Sequence, residues 1–442
     1  MTREVSLPQS TPPPDLPEIQ PQTSESTPPA GYLQLTRTNA SFRDLWFGQI
    51  ISLLGDWFNL IASAALVGQL TGSGLAIGGL FVVRMLAPFL ISPLGGVLAD
   101  RYNRKVVLIL SDLSRALVVL GFLLVRSAGD VWMLYLLTAV QLAITGVFFP
   151  TRNAILPDIV SRSELGTANT LTSVTWSIML AVGAALGGLV AGGWGFKPAF
   201  IVDSLSFLLS AFFISRVKYT HHPREEAVDL RPQAVMGEYL DGLRYLGAHP
   251  AILLVALHKA AISLMSNGAY QVIQVRIAER VFVLGEGGGI SLGLLYTAAG
   301  IGTGLGPVLA RRLTGDRKRP MALAIALGYG ITAAGLLWSA PLWSLGMVLL
   351  GNALRSFGGG INWVFSTQLL FQLTPDRVRG RIFSTEFAVF TLASAIGAAA
   401  GGWALDDSGL SLGGLLGVLG VLTFLPGLLW GGWLRRHGRS LE

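Results

Sequence analysis

The sequence predicts an all-α integral membrane protein in which twelve transmembrane helices form two parallel six-helix halves. Composition, the spacing of apolar stretches and an internal repeat lead to this prediction. Of the 442 residues, 52% are hydrophobic and only 13% are charged, whereas soluble domains average about 25% charged residues. The composition therefore excludes a water-soluble fold.

Apolar stretches long enough to cross a bilayer recur along the whole chain. About 20 apolar residues suffice for a membrane-spanning helix, and a helix satisfies its own backbone hydrogen bonds in lipid. The sequence lacks the alternating segments of about ten residues that a β-barrel needs. The predicted helices cover residues 43–70, 74–98, 105–126, 131–149, 166–193, 196–215, 251–277, 290–311, 320–338, 342–371, 382–404 and 411–433.

Lysine and arginine set the expected orientation, because they concentrate on the cytoplasmic side of a membrane. Of the 32 such residues, 24 fall in the two tails and the even-numbered connections, and three fall in the odd-numbered ones: Arg126, Lys197 and Arg280. We therefore expect both termini to be cytoplasmic. The same bias accounts for the net charge of +7, so no nucleic-acid partner is expected.

Two features divide the chain into segments. Eight of the 21 prolines lie before Gly31, among small polar residues that cannot bury enough apolar surface to fold. Five glycines (Gly146, Gly166, Gly183, Gly187 and Gly188) recur at one constant offset as Gly360, Gly380, Gly397, Gly401 and Gly402. The predicted segments are a disordered cytoplasmic tail (1–38), a first half (39–216), a cytoplasmic linker (217–250), a second half (251–436) and a short cytoplasmic tail (437–442).

Polar side chains follow one face of the first, fourth, seventh and tenth predicted helices, at steps of three and four residues. Helices that face lipid do not carry such faces, so these faces line a wet cavity or pack inside the bundle. Lys259 and Arg355 would attract an anionic substrate there or compensate an acid. The candidates for cavity and substrate contact are Gln49, Asn59, Gln141, Lys259, Asn267, Tyr270, Arg355 and Asn362.

Charged residues inside a membrane are functional candidates because of what their burial costs. Asp56 lies near the middle of the first helix and Arg84 near the middle of the second, so the two are expected to meet at mid-depth. Proton coupling needs such a carboxylate, whose proton affinity changes with water access; the alternative is a static ion pair that locks two helices. Glu386 lies one turn into the eleventh helix and is a candidate either for proton coupling or for the inner gate.

Other charged residues suggest structural roles. Asp112 and Arg115 are three residues apart and are expected to pair with each other, and Asp203 lies near the outer end of the sixth helix. The five histidines are too scattered for a metal site, and the phosphate-binding pattern G-x-x-x-x-G-K-[ST] is absent. We therefore expect neither an enzyme nor a cofactor.

The stretch from Gly96 to Lys105, GVLADRYNRK, resembles the loop between helices 2 and 3 of the major facilitator superfamily. The departure is Asn103, which stands where the family has glycine and which tolerates the left-handed backbone of a tight turn. The resemblance implies a major facilitator fold and an inner gate in which Asp100 contacts the start of helix 11. The alternative is that these charges only set topology. The implied gate residues are Gly96, Asp100, Arg101, Arg104 and Lys105.

The fifth helix contains GAALGGLVAG, residues 183–192, which is similar to the glycine-rich motif of antiporters in this superfamily. Gly188 replaces the usual proline. Small residues four apart also permit close helix crossing without any transport role. The implied packing residues are Gly183, Gly187, Gly188, Gly397 and Gly401.

Residues 40–435 most resemble the macrolide- and enterobactin-exporter group of drug:proton antiporters, above all at SLLGDWFNLIASAALVGQLTGSGLAIG and FFPTRNAILPDIVSRSELGTANTL. The resemblance implies a monomer in a bacterial inner membrane. Its partners would be the lipid bilayer, protons and an amphipathic small-molecule substrate of drug, macrolide or siderophore type, exported by alternating access. The alternatives are a facilitator or importer of a small metabolite, and a lipid transporter of the same fold.

Overall fold

A computed structural model describes residues 31–220, 237 and 243–437, and the regular structure of this part is entirely helical. A short helix, Tyr32–Thr38, precedes the first long one. We call α1–α6 the N-terminal half and α7–α12 the C-terminal half. The long helices α1–α12 are Ala40–Thr71, Gly74–Arg101, Arg104–Gly121, Val131–Ile159, Arg162–Gly193, Phe196–Ser215, Pro250–Arg280, Gly289–Thr314, Lys318–Ser339, Leu345–Leu373, Asp376–Asp407 and Leu412–His437.

Eleven of these helices are long and apolar enough to cross a membrane. The remaining one, α10, has 29 residues, but its buried face carries Asn352, Arg355 and Asn362, which lower its hydropathy. The prediction of an all-α, multi-span membrane protein is confirmed.

The ends of several helices differ from the prediction. The fourth helix continues past residue 149 to Ile159 through Pro150 and Pro157, because prolines are tolerated in membrane helices where neighbours satisfy the freed backbone groups. The fifth begins earlier, at Arg162, since Ser161 and Glu164 form a reciprocal capping box there. Apolar runs alone could not reveal these polar extensions.

Helix α7 contains one π-helical turn, Ser263–Asn267. A π turn inserts an extra residue into a helix and is common at functional sites. It ends where α7 lies close to α11: a Cβ atom on Gly268 would stand 2.7 Å from the Ser394 carbonyl oxygen. The turn places Asn267 against Arg355 of α10.

The glycines of the repeat occupy matching positions in the two halves. Gly183 and Gly187 lie against Trp57 of α1, and Gly401 lies against Ala269 of α7. A Cβ atom added to Gly183 would stand 2.6 Å from Trp57 Cδ1, and one added to Gly401 would stand 2.6 Å from Ala269 Cα. Gly397 likewise packs on α7, so α5 and α11 cross the first helix of their own halves in the same way.

The two halves meet closely at one end of the bundle. We call this the far end; it holds the connections that follow the odd-numbered helices, and the tail end is where α1 begins and α12 ends. A Cβ atom on Gly188 of α5 would stand 2.7 Å from Gly293 Cα of α8, and one on Gly402 of α11 would stand 2.6 Å from the Gly74 carbonyl oxygen of α2. Backbone therefore touches backbone across the halves at the far end.

Candidate functional site

The polar stripe of α1 is buried at both of its predicted cavity residues. Gln49 accepts a hydrogen bond from the guanidinium of Arg152 on α4, which also donates to the Thr172 hydroxyl of α5 at 2.9 Å. Asn59 is fully buried and interacts with Asp203 on α6. The stripe therefore packs inside the N-terminal half at these positions.

Asp112 and Arg115 of α3 form the ion pair expected from their spacing. Both side chains are buried. The Arg115 guanidinium lies over two rings, those of Phe148 and Phe207, at 4.3 Å from each centroid. This pair is a closed unit, since each charge has an opposite charge in direct contact.

Three further ionisable side chains lie near that pair: Asp56 of α1, Arg84 of α2 and Asp203 of α6. Asp203 was expected near the outer end of its helix, but it packs against Gly55 in the middle of α1. Asp56 and Arg84 are partly exposed and interact electrostatically, but no salt bridge within 4.0 Å joins them in the described part of the chain. The static ion pair, one of the two interpretations of these residues, is therefore not formed in this conformation.

In the C-terminal half, Lys259 of α7 forms a salt bridge of 3.0 Å with Glu386 of α11. Both side chains are nearly excluded from solvent, and the Lys259 Nζ lies 4.6 Å from the centroid of the Trp363 ring on α10. Of the two expectations for Lys259, compensation of an acid is the one this geometry provides.

Arg355 of α10 is held by neutral groups. Its Nε donates to Asn352 Oδ1 at 2.9 Å and one terminal nitrogen donates to Asn267 Oδ1 at 2.5 Å. The guanidinium lies 4.1 Å from the centroid of the Tyr270 ring. No carboxylate of the described residues lies within 4.0 Å, so Arg355 remains a buried cation able to attract an anionic group.

The last two predicted cavity residues, Gln141 of α4 and Asn362 of α10, are also buried. Asn362 packs against Gly328 of α9: a Cβ atom added to Gly328 would stand 3.0 Å from Asn362 Cγ. It therefore lies inside the C-terminal half. Side chains closer to the junction of the halves are Trp57 and Tyr296, whose rings make an edge contact at 5.4 Å.

At the predicted inner gate, Arg104 makes its described contacts within the N-terminal half. Its guanidinium donates to the Ala99 and Ala154 carbonyl oxygens at 3.0 and 2.9 Å and pairs with Asp158 at 2.6 Å. Arg101 is exposed and Lys105 half-buried. The surroundings of Gly96 and the side chain of Asp100 lie outside the described part of the structure.

The expected left-handed turn at Asn103 is wrong. Its φ is −59° and its side chain accepts from the Val106 amide at 3.3 Å, so it caps the start of α3. Asparagine is among the preferred residues at that position of a helix, which gives a physical reason for its presence in place of glycine.

A second cluster, which the sequence reasoning did not identify, joins the halves at the far end. Asp406 of α11 accepts from the Ser73 hydroxyl and from the Gly74 and Leu75 amides at 2.7, 2.7 and 2.9 Å. Arg276 of α7 lies 3.6 Å from the same carboxylate and donates to the Gly72 carbonyl oxygen. A carboxylate at the start of a helix is favoured by the helix dipole, so Asp406 holds α2 to the C-terminal half.

Comparison with known proteins identifies the family. Residues 45–398 match the model of the Major Facilitator Superfamily. The chain belongs to this superfamily. The resemblance found at the loop after the second helix is confirmed, and members of the Major Facilitator Superfamily are transporters, so the protein is a membrane transporter and not an enzyme.

Individual members of the superfamily are similar to this chain in sequence or in fold. The chain is 28% identical to the uncharacterised MFS-type transporter YfiS of Bacillus subtilis (strain 168), over 89% of this chain and 93% of that one. It is 25% identical to the enterobactin exporter EntS of Escherichia coli O9:H4, over 83% and 86%. The crystal structure of a peptide transporter POT in complex with sulfate superposes with a TM-score of 0.70 at 14% identity, over 94% and 98%. That structural similarity supports the fold alone.

Proposed function

We propose that this protein is a proton-coupled exporter of amphipathic small molecules, of drug, macrolide or siderophore type. It works as a monomer by alternating access in a bacterial inner membrane, with both termini cytoplasmic. Residues 39–216 and 251–436 are its two halves, and residues 217–250 link them.

One observation carries the proton coupling. Asp56 lies on the polar face of α1, is partly exposed and makes no hydrogen bond or salt bridge to another described residue. A carboxylate in that state is available to a proton from water, and the nearby positive charges of Arg84 and Arg115 interact with its ionised form. Glu386 is a second coupling candidate, because its carboxylate is buried on α11 and forms a salt bridge with Lys259.

The groups near the junction of the halves support the proposed substrate class. The rings of Trp57 and Tyr296 offer apolar contact, and the uncompensated Arg355 offers a charge for an acidic group. The enterobactin exporter among the relatives supports the outward direction. The charged loop from Gly96 to Lys105, with Asp100 at its centre, closes the cytoplasmic side.

Accumulation assays in cells test the direction of transport. Ethidium, erythromycin and a catecholate siderophore are supplied to cells that lack the protein and to cells that overproduce it. We expect overproduction to lower the steady-state level of at least one probe several-fold, and an uncoupler of the proton gradient to abolish the difference. A probe level that rises on overproduction would instead support an importer.

A further inference from the structure

Asp203 is a buried carboxyl group without a counterion in contact. It is fully buried on α6, and neither carboxyl oxygen has a hydrogen-bond partner in the part of the chain that the structure describes. Its polar neighbour is the amide of Asn59, whose Nδ2 also lacks a hydrogen bond of ordinary geometry.

The carboxyl group is pressed against the backbone of α1. A Cβ atom on Gly55 would stand 2.5 Å from Asp203 Oδ1, so α1 and α6 meet directly at this point. Asp56, the proposed coupling acid, is the next residue along α1. Two carboxyl groups from neighbouring helices therefore lie on either side of one tight helix crossing.

The charges that face Asp203 come from three helices. Asp56 lies on α1, Arg84 on α2, and Asp112 and Arg115 on α3. Helix α6 packs against α1, α3 and α5, and α5 has no charged side chain beyond its first turn. Three carboxyl groups thus face two guanidinium groups.

The three carboxyl groups therefore outnumber the two guanidinium groups by one. Asp112 and Arg115 form a closed pair, so Arg84 alone remains to balance both Asp56 and Asp203. Burying an unbalanced carboxylate costs several kcal/mol, and a buried group avoids that cost by taking up a proton. Neither acid has a donor bonded to it among the described residues, but Asp203 is fully buried whereas Asp56 is partly exposed, so the proton belongs on Asp203.

We propose that Asp203 is a protonated carboxylic acid in this conformation and is the site that stores the coupling proton. When the crossing of α1 and α6 loosens, the O–H bond of Asp203 breaks and one forms on Asp56, which passes the proton to water. Only this transport step rests on the proposed proton coupling; the protonation of Asp203 does not.

Infrared spectroscopy of the full-length protein in lipid bilayers tests the proposal. At neutral pH we expect a carbonyl band typical of a protonated carboxylic acid, shifted by aspartate carrying ¹³C at the side-chain carboxyl. Asp203→Asn should remove this band with little loss of thermal stability, since asparagine has the shape of the neutral acid. The matched control is the Lys259→Met, Glu386→Gln double variant, which removes a buried acid together with its partner and should retain the band.

Three results would overturn the proposal. They are the absence of the band in the wild-type protein, its persistence in Asp203→Asn, and its loss in the double variant. Absence of the band from the wild-type spectrum would overturn the proposal even if Asp203→Asn does not fold. A band that depends on Asp203 in a protein that ignores pH gradients would support the protonation while refuting the proposed proton coupling, so the two failures are distinguishable.

Discussion

Lys259 and Glu386 form the most completely buried salt bridge between two helices of the C-terminal half, with 9% and 2% of the side chains exposed. Removal of one member leaves a buried charge without a partner, which typically costs about 3–5 kcal/mol. We therefore predict that Glu386→Gln lowers the free energy of unfolding by roughly that amount, and that adding Lys259→Met restores most of it. Denaturant titration in detergent micelles measures both.

The exposed pair of Arg311 and Asp316 provides the control, since 65% and 55% of these side chains are exposed. Exposed pairs contribute about 0–1 kcal/mol, so Arg311→Gln should change stability little. Equal losses in Glu386→Gln and Arg311→Gln, or a double variant no more stable than the single, would contradict the account of the buried pair.

Individual charged residues were easier to find in the sequence than their partners. Asp56, Arg84, Lys259 and Glu386 stand out because they interrupt apolar runs, but a run does not say which helices become neighbours. Lys259 and Glu386 are far apart in the chain, on the first and fifth helices of their half, and no local spacing encodes their pairing. The pair of Asp112 and Arg115 was predictable because three residues bring both onto one helix face.

At the scale of helices, Asp406 holds the far end closed. It accepts three hydrogen bonds from the start of α2 and lies beside Arg276. We predict that Asp406→Asn, which removes the charge that the helix dipole favours, opens the far end more often. Labelling of a cysteine placed at Leu405, whose side chain contacts Gly74 across the halves, with a membrane-impermeant maleimide should become several-fold faster.

The neighbouring residue supplies the control for this prediction. Asp407 is exposed, and the described residues show no hydrogen bond or salt bridge to it, so Asp407→Asn should leave the labelling rate unchanged. The same labelling rate in Asp406→Asn and in the unchanged background would refute the role assigned to Asp406.

Asp100, at the opposite end of α2, should act in the opposite sense. If it closes the cytoplasmic side as the resemblance implies, Asp100→Asn increases the labelling of cysteines at the tail end, decreases it at the far end and slows transport. The corresponding position of the C-terminal half is Ala310, so no second acid replaces it. Correctly inserted Asp100→Asn protein with normal labelling and transport would show that these charges only set topology.

Helix positions were largely predictable, and the contacts between helices were not. Apolar length located α6 from Phe196 to Ser215 without error, whereas the polar extension of α4 beyond Pro150 was missed. A polar stripe marks a face that avoids lipid, but not the surface that covers it. Asn59 and Asn362 were expected to line a cavity or to pack inside the bundle, and in this conformation they pack inside their own halves.

For the whole molecule, the internal glycine repeat predicted close helix crossings at matching positions of the two halves, but the partners, α1 for α5 and α7 for α11, came from the structure. The repeat did not predict where the halves differ. Asp406 corresponds to Gly192, so the cross-half contact between α11 and α2 uses a carboxylate, whereas that between α5 and α8 combines backbone packing with a hydrogen bond from the Thr297 hydroxyl to the Ala181 carbonyl oxygen. The charges that distinguish the halves are the ones we assign to gating and coupling.

Proton coupling involves the whole transport cycle of the molecule. An antiporter binds proton and substrate in competition, so an exporter whose coupling acid is neutralised still exchanges substrate but no longer concentrates it. Asp56→Asn has nearly the shape of the protonated acid and should therefore fold and insert as the wild type does.

The most direct test is transport by purified protein in proteoliposomes, with the probe that responds in the cell assay. The account predicts that an imposed pH gradient drives accumulation in the wild type, and that Asp56→Asn abolishes this accumulation while retaining counterflow of the labelled probe. A wild type that ignores the pH gradient would contradict proton coupling altogether. An Asp56→Asn variant that responds as the wild type does would contradict the role of Asp56.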